Sequence, residues 1–530
     1  MVGLSLPLRF LILKKGVFVL QLFLLVFAVN ITAQVPARFD RFVKDEVLVK
    51  FDTSFTRDAA NSIHDGLGSN ILEVLGQTGW QRIRIADGRS IETAIAQYKK
   101  FPAVIAAQPN FYYELTAVPN DPQYSNAGLW GLPKISAPAA WDITTGSNTV
   151  IVAVIDTGMR LGHEDLAANL WTNPGEIAGN GIDDDGNGFI DDVHGWDFRF
   201  DASSPADQHG HGTHVAGTIG AVGNNATGIV GVNWNVRLMP IKIYSQAAND
   251  TTSAMLVNAY DYVRMMKLAG HNIRVTNNSY GGCAEACGYD QATKDAIDAL
   301  GDAGVLNVFA AGNNNRNTDN LPFYPGSYDS PSILNVAAST SIDSRASFSN
   351  FGPVTVDLAA PGAGIYSTTN GSNSSYGNSS GTSMAAPHVA GVAALLAAQH
   401  PSLDARSLKA TLMNSVDVLP EWASLVKTSG RLNAAAALQN PTNCTADVGP
   451  LERHVPTKGG LISFTLKTPP NCDFPVRSDS RWVRVLDRGQ TSGPATVDIF
   501  VSVNPVISRS STLEIGGRTV TIVQDRGKAK

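Results

Sequence analysis

Cysteine is scarce in this chain of 530 residues: four, in two local pairs, Cys283/Cys287 and Cys444/Cys472. Neither pair has a second Cys or His pair at metal-ligand spacing, which argues against a structural zinc site. Up to two disulfides in an oxidising compartment remain, or free thiols. Long apolar runs are missing as well, for none reaches the roughly 20 residues of a membrane span. The stretch from Val17 to Val29, interrupted by Gln21, follows Arg9, Lys14 and Lys15. That pattern predicts a signal peptide over 1–33 cut after Ala33, with an uncleaved anchor as the other reading. There is no basic excess either. Forty Lys+Arg stand against 46 Asp+Glu, a formal charge of -6, which argues against nucleic acid as the partner. With 43% hydrophobic and only 16% charged residues, the composition is globular, neither disordered nor membrane-embedded. The length allows three or four domains.

Within 34–117 the pattern runs strand, helix, strand, helix, strand. Residues 46–51 and 81–85 alternate at period two, and 91–96 have helical spacing. This predicts a small α+β unit. Pro119-Asn120-Asp121-Pro122 reads as an exposed joint. From 118 to 440, continuous β-branched runs at 149–155, 273–276 and 305–310 alternate with helical segments. They predict a doubly wound α/β domain whose parallel strands are buried on both faces. Ligands then belong at the carboxyl ends of the strands, where Asp156 and Asn313 stand. Across 441–530 only alternating strands appear, which predicts an all-β sandwich serving as an accessory module.

Ser383 opens a helical run in Gly381-Thr382-Ser383-Met384-Ala385-Ala386-Pro387-His388. Free N–H groups and the dipole at a helix start favour a nucleophile whose attack creates an oxyanion, although a serine there can also be a simple N-cap. His211, in His209-Gly210-His211-Gly212-Thr213-His214, is suited to act as a base. A metal site among these histidines is disfavoured because no Glu follows in His-Glu-x-x-His fashion. Asp156 ends its strand, where a carboxylate can orient an imidazole, and Asn313 offers an amide to an oxyanion. Asp183, Asp184, Asp185, Asp191 and Asp192 crowd around Gly186-Asn187-Gly188. Such repulsion is relieved by calcium, with Asp183, Asp185, Asn187 and Asp192 as ligands. A merely solvated acidic loop is the alternative. His194 stands at position twelve instead of Glu, so the loop is not an EF-hand.

Asp-Thr-Gly at 156–158, His-Gly-Thr-His-Val-Ala-Gly at 211–217, Ala-Ala-Gly-Asn at 310–313 and Gly-Thr-Ser-Met-Ala-Ala-Pro-His at 381–388 together resemble the subtilisin-like serine peptidases, whose order Asp, His, Ser they share. The resemblance implies Asp156 as orienting group, His211 as base and then acid, Ser383 as nucleophile and Asn313 as oxyanion donor. It implies a secreted, monomeric endopeptidase acting on polypeptide substrates with broad specificity, and no membrane span once the signal is removed. Asn278–Gly282 would line the cleft and pair with substrate backbone, so that Ser279, Tyr280, Gly281, Ala310 and Gly312 bind substrate. Phe323 departs from the pattern, since many relatives carry a small residue there at the floor of the main side-chain pocket. A second structural calcium site would tie Asp165 to the loop Val222–Ile229, with Asp165 and Asn225 supplying side-chain oxygens and Asn224 not separable from Asn225.

Segment 34–117 resembles the ferredoxin-like propeptides that inhibit these enzymes, cut off near 115–119; a permanent accessory domain is the alternative. The tail resembles carbohydrate-associated, BACON-like β-sandwiches through Cys472, Trp482, Asn504, Arg509 and Gln524, with Trp482 suited equally to a core or to a ligand platform. Two rival functions stay in view. An inactive scaffold used for binding would be indifferent to Ser383→Ala. An esterase on an α/β fold is opposed by the absence of a Gly-x-Ser-x-Gly elbow and by the chain order.

Overall fold

The computed structural model describes residues 42–112, 117–282, 289–486, 490–504 and 507–525, in two compact units that divide between Leu115 and Thr116. The expected signal peptide, the stretch 113–116 around the expected maturation cut and the Cys283/Cys287 pair lie outside the described residues.

The first unit has one strand more than its hydrophobic pattern predicts. Strand Phe42–Phe51, helix Arg57–Gly66, strands Ser69–Leu75 and Trp80–Ile85, helix Ile91–Tyr98 and strand Val104–Phe111 follow in order. The sheet is antiparallel and ferredoxin-like, with Phe42–Phe51 between Trp80–Ile85 and Val104–Phe111. The unforeseen strand is Ser69–Leu75. Its register shifts between Ile71 and Glu73, and an extra residue in a strand breaks the period of two that would betray it. Val47, Val49, Ile83, Ala94 and Tyr98 form the core.

The second unit is built on a nine-stranded sheet that is parallel apart from its Asp417–Val418 edge. Strand Gly146–Asp156 lies between Asn235–Lys242 on one side and Ile273–Asn278 on the other, and beyond the latter come Leu306–Ala310, Ile333–Ser339 and Leu358–Pro361. The chain thus reverses direction across the sheet beside Gly146–Asp156, and a crevice opens there at the carboxyl ends. Residues Val150–Ile155 are buried on both faces, which explains their unbroken apolar run. Helix Thr382–Gln399 is buried almost throughout. Small residues allow that close approach: a Cβ on Gly391 would meet Val232 Cβ at 2.6 Å.

The tail folds into two facing sheets of four and five strands, and Cys444 and Cys472 form a disulfide. Arg509 lies over the Trp482 ring at 4.1 Å and donates through Nε to Gln524 Oε1 at 2.8 Å. Gln524 Nε2 in turn donates to Ser502 O. Three of the residues that carry the tail's resemblance, Trp482, Arg509 and Gln524, thus form a knot that covers one face of Trp482. The sandwich packs on helix Ala405–Asn414: Ala410 belongs to its core, and Lys409 Nζ meets Asp473 Oδ2 at 2.6 Å.

Candidate active site

Asp156, at the end of its strand, is 2% exposed. Its Oδ1 accepts the Thr157 N–H at 2.7 Å and lies 2.7 Å from His211 Nδ1. Burial alone would lower the His211 pKa, but the nearby Asp156 charge, its hydrogen bond and, further off, Asp207 raise it above the ordinary imidazole value. His211 is the first residue of helix His211–Gly220, whose small side chains let it pack tightly: a Cβ on Gly212 would lie 2.1 Å from Gly158 O.

Ser383 is the second residue of helix Thr382–Gln399. Pro387, four residues on, has no N–H to give the Ser383 carbonyl, and that carbonyl accepts the Ser279 hydroxyl at 2.9 Å. Ser383 Oγ donates back to Ser279 O at 3.0 Å. The Ser383 hydroxyl is therefore paired with the Ser279 carbonyl in this structure. Asn313 Oδ1 accepts from Thr382 N at 2.8 Å and Thr382 Oγ1 at 3.0 Å, which turns its amide nitrogen away from them. A Cβ on Gly381 would sit 3.3 Å from Asn313 Nδ2 and 3.6 Å from Ser383 N. Two N–H donors thus border one small space.

Asp156, His211, Asn313 and Ser383 all line one cleft of about 740 Å³, together with Ser279, Tyr280, Gly281, Ala310 and Gly312. Phe323 lines it too. Its half-buried ring is wedged under both walls, because a Cβ on Gly282 would fall 2.2 Å from Phe323 Cε2 and one on Gly312 would fall 2.9 Å from Cδ1.

The acidic loop is partly as expected. Asp183 and Asp185 bring carboxylate oxygens within 4.8 Å of each other and of Glu176, a residue that sequence reading missed although it lies only seven positions upstream of Asp183. Asn187 donates through Nδ2 to Asp185 and Asp192 and accepts Phe189 N–H. Asp192 is fully buried among Asn173, Asn187 and Tyr262 donors, and burial pushes its pKa up to about 6. At the second site Asp165 is fully buried, accepts from Asn225 Nδ2 at 2.9 Å and Ile229 N at 2.7 Å, and has its pKa pushed up to about 6 by burial. Asp121, read from sequence as part of a joint, accepts Asn224 N at 2.7 Å and Asn225 N at 3.4 Å. Its charge acts unfavourably on Asp165. Two buried carboxylates against one loop, with neutral donors as their hydrogen-bond partners, fit a hard divalent cation.

The profile of the Subtilase family matches residues 147–443, and that of the fervidolysin N-terminal prodomain matches 30–110. Thermitase of Thermoactinomyces vulgaris is 37% identical over 61% of this chain and 99% of its own length. An extracellular protease of Xanthomonas campestris is 33% identical over 71% of this chain and 66% of its own, and a thermophilic serine proteinase of a Bacillus species 32% over 68% and 79%. The solved structure of a Pseudoalteromonas arctica protease aligns with 61% of this chain and 99% of its own, at 31% identity and a TM-score of 0.50. Among the described residues no helix is long and apolar enough to cross a membrane. With the family profile covering more than half its length, the chain belongs to the subtilase family of serine endopeptidases.

Proposed function

We propose that the chain is the precursor of a secreted peptidase of broad specificity that works through an acyl-enzyme on Ser383. It comprises a signal peptide at 1–33, an inhibitory propeptide at 34–117, the peptidase domain at 118–440 and the sandwich at 441–530. The observation that carries the reading is the 2.7 Å contact of His211 with buried Asp156 in the cleft that holds Ser383 and Asn313.

In the reaction, Ser383 Oγ leaves the Ser279 carbonyl for His211 Nε2, which takes its proton as the oxygen attacks the peptide carbonyl. Asp156 holds the imidazole by Nδ1 and stabilises its cation. The oxyanion is met by Asn313 Nδ2 and Ser383 N, a kind of donor worth about 3 to 4 kcal/mol of barrier, a magnitude measured within this same family. His211 then protonates the departing amine, and water repeats the sequence on the acyl-enzyme. Substrate backbone runs along 279–281 and 310–312, while Phe323 makes the main side-chain pocket shallow and favours small side chains there.

Two cations would support the fold. One would be held by Asp183, Asp185 and Glu176 with Asn187 and Asp192 beside them, the other by Asp165, Asn225 and Asp121. Calcium there supplies charge neutralisation and no chemical step.

Purified precursor incubated with calcium should acquire a new amino terminus near residues 115–119, and Ser383→Ala should abolish this cut. A Ser383→Ala chain that still processes itself would refute the reading.

A further inference from the structure

One carboxylate outside the recognised motifs ties the two halves of the site together. Asp207 lies four residues before His211. Its Oδ1 accepts from Thr157 Oγ1 at 2.9 Å, His209 N at 2.9 Å and Gly210 N at 2.8 Å. Its Oδ2 accepts from Thr213 N at 3.0 Å and Thr213 Oγ1 at 2.6 Å. One of these donors adjoins Asp156, and the other four come from the turn that carries His211. Thr157 Oγ1 closes the circuit by accepting Gly212 N at 2.9 Å. The backbones are joined as well, Asp207 N donating to Met159 O at 3.1 Å and Met159 N to Pro205 O at 3.0 Å. Helix His211–Gly220 has no side-chain cap at Gly210, so Asp207 does the capping from three residues further back, with its charge at the positive end of the helix.

We propose that Asp207 is a positioning residue for the reaction: its carboxylate locks Asp156 and His211 into register and adds a second negative charge that favours the imidazolium formed when His211 takes the serine proton. The proposal rests on the triad reading above. Besides Asp156 and Asp207, His211 faces the ring of His209 at 6.2 Å and the buried His214. Both are bases with no negative charge to give. Among the described residues no Lys or Arg pairs with Asp207, so its charge is not cancelled at the site. An asparagine would keep the shape but set an N–H₂ against the N–H and O–H of Thr213, or against the three donors on the other side.

The test uses the full chain, matured with its own prodomain, in wild-type, Asp207→Asn and Asp207→Glu forms, together with Ser383→Ala, which does not process itself and is cut near residues 115–119 by an added protease that is then removed, all assayed on a chromogenic peptide amide. Competent sites are counted with a serine-directed covalent titrant. Asp207→Asn should lower kcat per titrated site by about 10- to 100-fold, the scale of a misplaced catalytic group. KM should stay within about twofold, since binding contacts are untouched. The acidic limb of the kcat/KM profile should move to lower pH, because losing a negative charge lets His211 lose its proton sooner. Asp207→Glu should retain the limb and lose kcat. Wild-type kcat and limb in folded Asp207→Asn would overturn the proposal, as would a loss seen only as fewer titrated sites at unchanged kcat, which marks a residue of fold stability alone. Activity surviving in Ser383→Ala would instead overturn the triad reading beneath it.

Discussion

Among the carboxylates of the second unit that are almost wholly buried and meet a basic side chain, Asp156 and Asp473 do so to different ends. Asp156 faces His211 across 2.7 Å in a cleft where the imidazole is 25% exposed. Asp473 faces Lys409 across 2.6 Å, with both side chains at 4% exposure or less. The raised pKa of His211 still leaves it a base that gains and loses a proton, so on the function proposed above activity is expected on the alkaline side of that pKa. For Lys409, burial alone would lower the pKa, but the Asp473, Asp357 and Asp329 carboxylates raise it instead. Its contribution to stability is then complete below the ordinary lysine pKa and lost only as pH climbs through the folded value. On the function proposed above, the same contact is catalytic where solvent and substrate reach one partner, and a rivet where neither does.

Breaking the first pair should have the largest effect. Asp156→Asn is expected to lower kcat about 10⁴-fold, since the imidazole loses its orienting partner, while the melting temperature stays close to wild type. The second pair should respond in reverse. Lys409→Met leaves Asp473 without its ammonium partner and should cost about 3–5 kcal/mol in denaturant unfolding, with kcat per folded molecule unchanged. Lys409→Met with Asp473→Leu should recover most of that loss. If Lys409→Met reduced kcat and spared stability, the division between the two pairs would fail.

The first pair was legible in the sequence and the second was not. Asp156 ends and His211 opens a regular element, each with a local pattern around it, and four such patterns in order outweigh any single alternative. Lys409 and Asp473 sit on a helix and a strand, 64 positions apart, and neither carries a pattern that differs from a solvated charge. Asp207 and Glu176 escaped for the same reason, because a carboxylate becomes recognisable only when the donors it gathers are brought together. The parallel sheet was visible through its continuous apolar runs. Strand Ser69–Leu75 was hidden by its shift of register, and the surroundings of Trp482 could not be read because Arg509, which covers one face of it, lies 27 residues further on.

Asp165 and Asp192 are a third kind of buried carboxylate, for their hydrogen bonds come from neutral groups. A cation in the place of the missing basic side chain would complete the series. Exchange of calcium for a chelator should therefore lower unfolding stability by about 2.7 kcal/mol per site if the metal is supplied at a hundredfold its Kd. Asn225→Ala should remove one site's share in a calorimetric scan. Equal stability in chelator and in calcium would place both acids among groups held by hydrogen bonds alone.

Phe323 offers the smallest and most selective probe, because it is an aromatic ring on the catalytic side of the comparison. In a closed core, cutting such a ring away costs about 3–5 kcal/mol. Phe323 is only half-buried and borders the cleft, so Phe323→Gly should cost clearly less than Lys409→Met in the same unfolding assay. It should also open space between Gly281–Gly282 and Gly312, where the ring is wedged. The ratio of kcat/KM for peptides with Phe against Ala on the acyl side of the cut is expected to rise about tenfold, the discrimination that a few buried methylenes provide. An unchanged ratio would mean that the ring does not floor the pocket, and a loss of stability of core size would class Phe323 with Lys409 rather than with His211.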